Sequence, residues 1–280
     1  MSIVMPSDSL HAAEVERRLR AMPGRQRHTL VFFGGAESGL TEAGHGLTVF
    51  NSHGRQRTCA KAYEDLATLV RARGGDARGI DPELDNGQEN AAIRRALAFI
   101  KNRELGFDPR GKLVIYGYSA GGYNAVNLCR RMMEEFRSYV FLPASGHHDG
   151  TLSGRRLVAQ VRVDLLVTVD PCIQDYEIER GLHRIPLRRP NPIVKYHANY
   201  YQQVFGAENP QHYAGVSIPT ADSNCRRTPS REWSPHDQMP LETYDHVSRD
   251  VVNVLAGGEL DGCGCPGQQT RCPERQPVRL

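Results

Sequence analysis

The chain has 280 residues, 39% of them hydrophobic and 24% charged, a composition ordinary for a globular protein. That length admits one large α/β domain or two small ones. A net charge of +3 is too mild to mark a nucleic-acid binder, and no apolar run approaches the roughly 20 residues of a membrane-spanning helix.

Residues 1–18 lack a basic stretch followed by an apolar one, so no signal peptide is expected. The expected location is the cytoplasm, with leaderless export open. Residues 1–27 form an N-terminal segment whose amphipathic part, 11–22, predicts a helix ended by Pro23 and Gly24. Thr29, Leu30, Val31, Phe32 and Phe33 make a continuous apolar run, the pattern of a strand buried on both faces. Gly34 and Gly35 follow at once. Such a pair lets bare backbone N–H groups approach a ligand, or simply makes a tight turn.

Residues 47–50 read as a short strand or a lipid-facing loop, and 58–73 as a helix closed by Gly74 and Gly75. A loop at 81–86 and a helix over 90–101 come next. Leu113, Val114, Ile115 and Tyr116 then run into Gly117, Tyr118, Ser119, Ala120 and Gly121, with helical character over 123–136. Strand, tight turn and helix with a serine at the turn is the context of a G-x-S-x-G nucleophile elbow. The serine's strained backbone leaves almost no room for side chains two positions either side, and the helix N-terminus behind it offers N–H groups to an oxyanion. A phosphate-binding or merely structural Gly-rich turn is the alternative, and the Walker type is disfavoured because no Gly-Lys-Ser/Thr follows the glycines.

Residues 139–142 are apolar, 143–154 a loop, and 165–169 another buried-type strand ending in Asp170 and Pro171. An acid at the end of a parallel strand lies on the rim where ligands bind in open α/β sheets. The arginine- and proline-rich stretch 178–192 reads as an insertion or lid, 199–202 and 214–218 as edge strands, and 242–255 as the last helix. Alternation of helices and buried strands predicts an α/β fold, with a mainly parallel central sheet and helices on both faces over residues 28–256. Residues 257–280 are polar, contain Gly, Pro and Cys, and read as a disordered tail.

A serine needs a base, and the base an acid to hold its tautomer. Among eleven histidines, His236 lies after the last strand and before the last helix, in a loop placed to reach over the rim. His246 and His212 are the alternatives. Asp170 is the candidate acid, with Asp175 and Asp222 behind it. Tyr118, Phe33 and Trp233 are candidate substrate contacts, and Phe32, Leu47, Val49 and Phe50 extend the apolar wall. Arg184, Arg188 and Arg189 read as a solvated basic loop or as partners of a phosphate head group.

Two clusters suggest metal binding and are set aside. His147, His148 and Asp149 lack further ligands at defined spacing, and Cys263, Cys265 and Cys272 lack a fourth partner. The other four of the seven cysteines, Cys59, Cys129, Cys172 and Cys225, lie far apart and are expected to be reduced thiols.

With the serine elbow, the strand-end Asp170 and Pro171, and His236 before the last helix, the chain resembles the α/β-hydrolase superfamily. The segments Val-Phe-Phe-Gly-Gly-Ala, Thr-Val-Asp-Pro and Asn-Tyr-Tyr-Gln look like those of bacterial serine lipases and esterases, some of which are antibacterial phospholipase effectors delivered by type VI secretion. The resemblance implies an α/β-hydrolase fold with an insertion between acid and base. It implies Ser119 as nucleophile, Asp170 as acid, His236 as base, and the N–H groups of Gly35 and Ala120 as oxyanion donors. It also implies an ester or lipid substrate, peripheral contact with a membrane, no nucleic acid, and no metal or organic cofactor. A non-catalytic protein of the same fold that binds a ligand or partner is the competing expectation.

Overall fold

The computed structural model describes residues 27–35, 40, 55–83, 90–102, 111–135, 137–141, 155–159, 162–171, 193–202, 218, 221–227 and 235–260. The expected N-terminal helix, the 47–50 element, the 143–154 loop, the arginine-rich insertion and the tail beyond 260 lie outside these residues.

Largely apolar runs become the inner strands, because both of their faces must be covered. β1 (Thr29–Phe33), β3 (Leu113–Tyr118) and β6 (Val163–Val169) are buried along their whole length. With β2 (Asp76–Ile80), β7 (Val194–Gln202) and β8 (Ser223–Arg227) they form a six-stranded sheet in the order β2-β1-β3-β6-β7-β8. Every neighbouring pair in it is parallel. Two further strands, β4 (Arg137–Phe141) and β5 (Arg155–Ala159), pair antiparallel with each other outside that sheet.

Alternation along each strand sorts side chains to two cores. Leu30, Phe32, Val114 and Tyr116 face one cluster, which α1 (Arg55–Ala72) and α5 (Tyr244–Leu255) cover with Leu66, Val70, Val247 and Val251. Val31, Phe33, Leu113 and Ile115 face the other, covered by α2 (Ala91–Lys101) and α3 (Ala120–Glu135). Asn90 caps α2 by accepting from the Ile93 backbone N–H at 2.8 Å. The fold is therefore α/β, a parallel sheet with helices on both faces. Among the described residues no helix is long and apolar enough to cross a membrane.

The order of the sheet decides where a ligand fits. From β1 the chain moves outward to β2 and then returns to β3 on the other side of β1. The connections leaving β1 and β3 thus run to opposite faces, which makes their C-terminal ends the switch point where open α/β sheets bind ligands. Gly34 and Gly35 leave β1 there, and Ser119 leaves β3.

Several expectations need correction. Residues 199–202 are not an edge strand: they end β7, a nine-residue strand lying between β6 and β8. β2, β5 and β8, each carrying charged residues, were not expected as strands. Of 214–218 only Ile218 is described, and it is not in a strand. His236 is not in a loop but in the first turn of α4 (Pro235–Glu242). Cys59 and Cys129 are free and buried, as expected, whereas Cys225 is disulfide-bonded.

The interior place of β7 is explained by a buried polar ladder that a sequence pattern registers only as polarity. Asn224 on β8 is oriented by the backbone of Ile218, accepting from its N–H and donating to its carbonyl, both at 2.9 Å. Asn199 must then offer its amide nitrogen to Asn224 Oδ1, leaving its own Oδ1 for the Thr168 hydroxyl, each contact 2.9 Å. Thr168 has one proton and has donated it, so His197 Nε2, 2.9 Å away, carries the hydrogen that Thr168 Oγ1 accepts. Each link satisfies the next, which is what makes burial of these groups tolerable.

Burial holds the pKa of His197 down to about 4 from 6.5. Below pH 6.5 the unfolded chain binds a proton that the folded chain refuses down to about pH 4. Stability is therefore full above pH 6.5 and falls as the pH drops through that window, by about 3 kcal/mol. Urea unfolding of the wild type and of His197→Gln, compared between pH 7 and pH 4.5, should show a shallower pH slope in the variant. Equal slopes would remove His197 as the cause.

Candidate active site

Ser119 occupies the single residue between β3 and α3 and has φ 54°, the left-handed region that side chains disfavour. Such strain costs on the order of 1–3 kcal/mol and persists only where the surroundings impose it. Here the Ser119 N–H donates to the Val169 carbonyl at 3.0 Å, extending the β3–β6 ladder, while its own carbonyl accepts from the Gly122 N–H. The turn also requires very close backbone approach. A Cβ on Gly117 would strike the Gly121 carbonyl oxygen and come within 2.7 Å of Ala125 Cβ. A Cβ on Gly121 would strike the Gly34 carbonyl oxygen and lie 2.6 Å from that of Phe33.

Asp170 repeats the arrangement one strand over. It follows β6, has φ 42°, is fully buried, and its N–H donates to the Tyr200 carbonyl on β7 at 2.7 Å. Two strained strand ends thus stand side by side on the C-terminal rim.

His236 joins them. Its Nδ1 lies 2.6 Å from Asp170 Oδ2 and its Nε2 2.8 Å from Ser119 Oγ. The carboxylate can only accept, so Nδ1 carries the hydrogen, and in the neutral imidazole Nε2 then accepts from the serine hydroxyl. These residues are 66 and 117 positions apart in the chain, so the sheet, not local sequence, brings them together. All three are buried, with Ser119 and His236 retaining 9% and 8% exposure, enough to leave an approach to the pair.

Tyr118, expected to touch substrate, has another role. It is 4% exposed, its hydroxyl donates to the His236 carbonyl at 2.9 Å, and its ring lies 5.1 Å from the imidazole. It fastens the first turn of α4 to the end of β3. Phe33 likewise is no pocket wall, being fully buried in the core under α2 and α3. Trp233 lies outside the described residues, as do Leu47, Val49, Phe50, the three arginines, His147, His148, Asp149, and the cysteines at 263, 265 and 272.

The expected oxyanion donors stand close to Ser119. Ala120 opens α3, where unpaired N–H groups and the helix dipole favour negative charge. Gly35 packs against the elbow so tightly that a Cβ there would sit 3.3 Å from Ser119 Cβ. Its backbone also lies beside the buried Cys59 thiol. Burial pushes that thiol up to about 12, keeping it neutral and unreactive. The same segment is held at Gly34, whose N–H donates to the Ile80 carbonyl at 3.1 Å. Its other end is held at Leu40, whose N–H donates to Asp81 Oδ1 at 2.8 Å.

Of the alternative partners, His246 lies on α5 beside Arg249, and Asp222 accepts from the His197 backbone N–H. His212 and Asp175 lie outside the described residues. Among the described residues no group of three or more His, Cys, Asp and Glu is placed to hold a metal ion. Sequence reasoning missed Gln202, whose side-chain and backbone N–H groups both donate to Asp170. The signal was a polar residue at the end of a strand that already carries Lys195, His197 and Asn199, which looks ordinary when that strand is taken for an edge. No protein-family model matches this chain, and a search of the curated proteins finds no match.

Proposed function

We propose that this protein is a serine ester hydrolase of the α/β-hydrolase type, acting through an acyl-enzyme intermediate. The observation that carries the reading is the continuous pair of short contacts from Asp170 through both ring nitrogens of His236 to Ser119 Oγ. A neutral histidine between a buried carboxylate and a serine hydroxyl is a base aimed at a nucleophile.

In the proposed cycle His236 Nε2 takes the Oγ proton as Oγ bonds to the ester carbonyl carbon. The Ala120 N–H stabilises the resulting oxyanion, and Asp170 the imidazolium. The intermediate collapses with loss of the alcohol, which takes the proton from Nε2. A water molecule, deprotonated by the same nitrogen, then bonds to the acyl carbon; the bond from that carbon to Oγ breaks, Oγ takes the proton back from Nε2, and the acid leaves. Backbone strain at Ser119 and Asp170 fits this reading, since strain of that kind clusters at working sites. The lipid or phospholipid character of the ester, and peripheral contact with the membrane presenting it, are proposed from the resemblance to bacterial lipases. The disulfide at Cys225 favours a working location outside the reducing cytoplasm, because disulfides persist mainly there.

The test is covalent labelling by a fluorophosphonate probe, with detergent or lipid present to open any lid. The wild type should label stoichiometrically and Ser119→Ala not at all. A wild type that stays unlabelled under all these conditions, with its fold intact, would sink the enzyme reading and leave the non-catalytic binding protein in its place.

A further inference from the structure

An acid that orients a histidine must itself be oriented. The terminal torsion of an aspartate is soft, so a single bond to the imidazole does not hold the carboxylate plane. In this site a second residue does. Gln202 ends β7, is fully buried, and donates twice to Asp170: its Nε2–H to Oδ2 at 2.9 Å and its backbone N–H to Oδ1 at 3.4 Å. The Oδ2 atom that takes the side-chain bond is the one facing His236 Nδ1 at 2.6 Å. The Asp170 N–H is bonded to the Tyr200 carbonyl, so β7 grips the acid by its main chain and both of its oxygens.

We infer that Gln202 is a positioning residue of this site, setting the carboxylate plane of Asp170 so that His236 presents Nε2 to Ser119. The inference rests on the ester-hydrolase reading for its consequence, and on the hydrogen bonds alone for its geometry. An amide is suited to the place. It donates to a carboxylate without adding charge, and burying it is tolerable only because its donors are used. A glutamate would set a second acceptor against the first. A methionine would fill the same volume and hold nothing.

The test uses the full chain carrying Gln202→Met or Gln202→Glu. Two readouts are followed: steady-state turnover of a soluble ester, and the far-downfield proton resonance of the short His236 Nδ1–H to Asp170 bond. Gln202→Met should lower kcat about 10–100-fold with KM little changed, because small misplacement of a catalytic group acts on the transition state. It should also shift or broaden the downfield resonance at a temperature where the fold is intact. Gln202→Glu should do at least as much, and it decides the matter if the methionine variant fails to fold.

Unchanged kcat and an unchanged resonance in a folded variant would overturn the inference and leave the serine hydrolase standing. A wild type that shows the resonance but never labels with fluorophosphonate would overturn the hydrolase reading. The resonance in the two variants would then judge Gln202 by itself.

Discussion

Replacing His236 with alanine is expected to lower kcat by about 10⁴–10⁶-fold while leaving KM within a few-fold of the wild type. The size of the loss follows from the geometry. Ser119 Oγ has its proton acceptor at 2.8 Å, and in the proposed cycle the same nitrogen returns the proton to the leaving alcohol and activates the water. Removing the ring therefore removes every proton transfer at once, whereas substrate binding does not depend on it. The remaining rate should come from the α3 N-terminus and from binding alone. For the same reason the Ser119→Ala and His236→Ala losses should not add, since each single variant already dismantles the unit. Steady-state kinetics on the two singles and the double would show it. Losses that multiply, or a His236→Ala variant within tenfold of wild type, would mean that another group serves as base.

Gly121→Ala is expected to destabilise the fold by about 3 kcal/mol or more, lowering Tm by roughly 6–12 °C. The added Cβ would meet the carbonyl oxygens of Gly34 and Phe33, which are main-chain atoms at the end of β1 rather than the tips of flexible side chains. Relief requires β1 and α3 to separate, yet β1 is hydrogen-bonded on both sides, to β2 and β3. Activity should fall further than stability, because Gly34 and Gly35 would be displaced from beside Ser119 even in molecules that remain folded. Differential scanning calorimetry together with fluorophosphonate labelling measures both effects. A variant as stable and as reactive as the wild type would show that the elbow tolerates a looser approach than its contacts imply.

The α/β class and the tight turn at Ser119 were legible because their signals are local. The largely apolar runs of β1, β3 and β6 announce burial on both faces, and the helix over 91–101 shows its cap at Asn90 and its apolar stripe. The glycines around Ser119 announce a turn too tight for side chains. Asp170 and His236 were readable as candidates by their places at a strand end and before the last helix. Their convergence was not, because nothing within a few residues of either refers to the other.

What only the tertiary structure decided has one physical cause: a strand's neighbours are chosen across the sheet, not along the chain. β2 and β8 carry charges that a local pattern reads as loop, yet pairing at the two sides of the sheet makes them strands. β7 looks like an edge because its polar residues spend their hydrogen bonds on Thr168 and Asn224, partners 31 and 25 residues away from Asn199. Tyr118, read as a substrate contact, holds His236 by its backbone, and Gln202 holds Asp170. A sequence can name residues able to do chemistry, but the orientation of each depends on groups brought up by other strands. Orientation is what turns a serine, a histidine and an aspartate into a site.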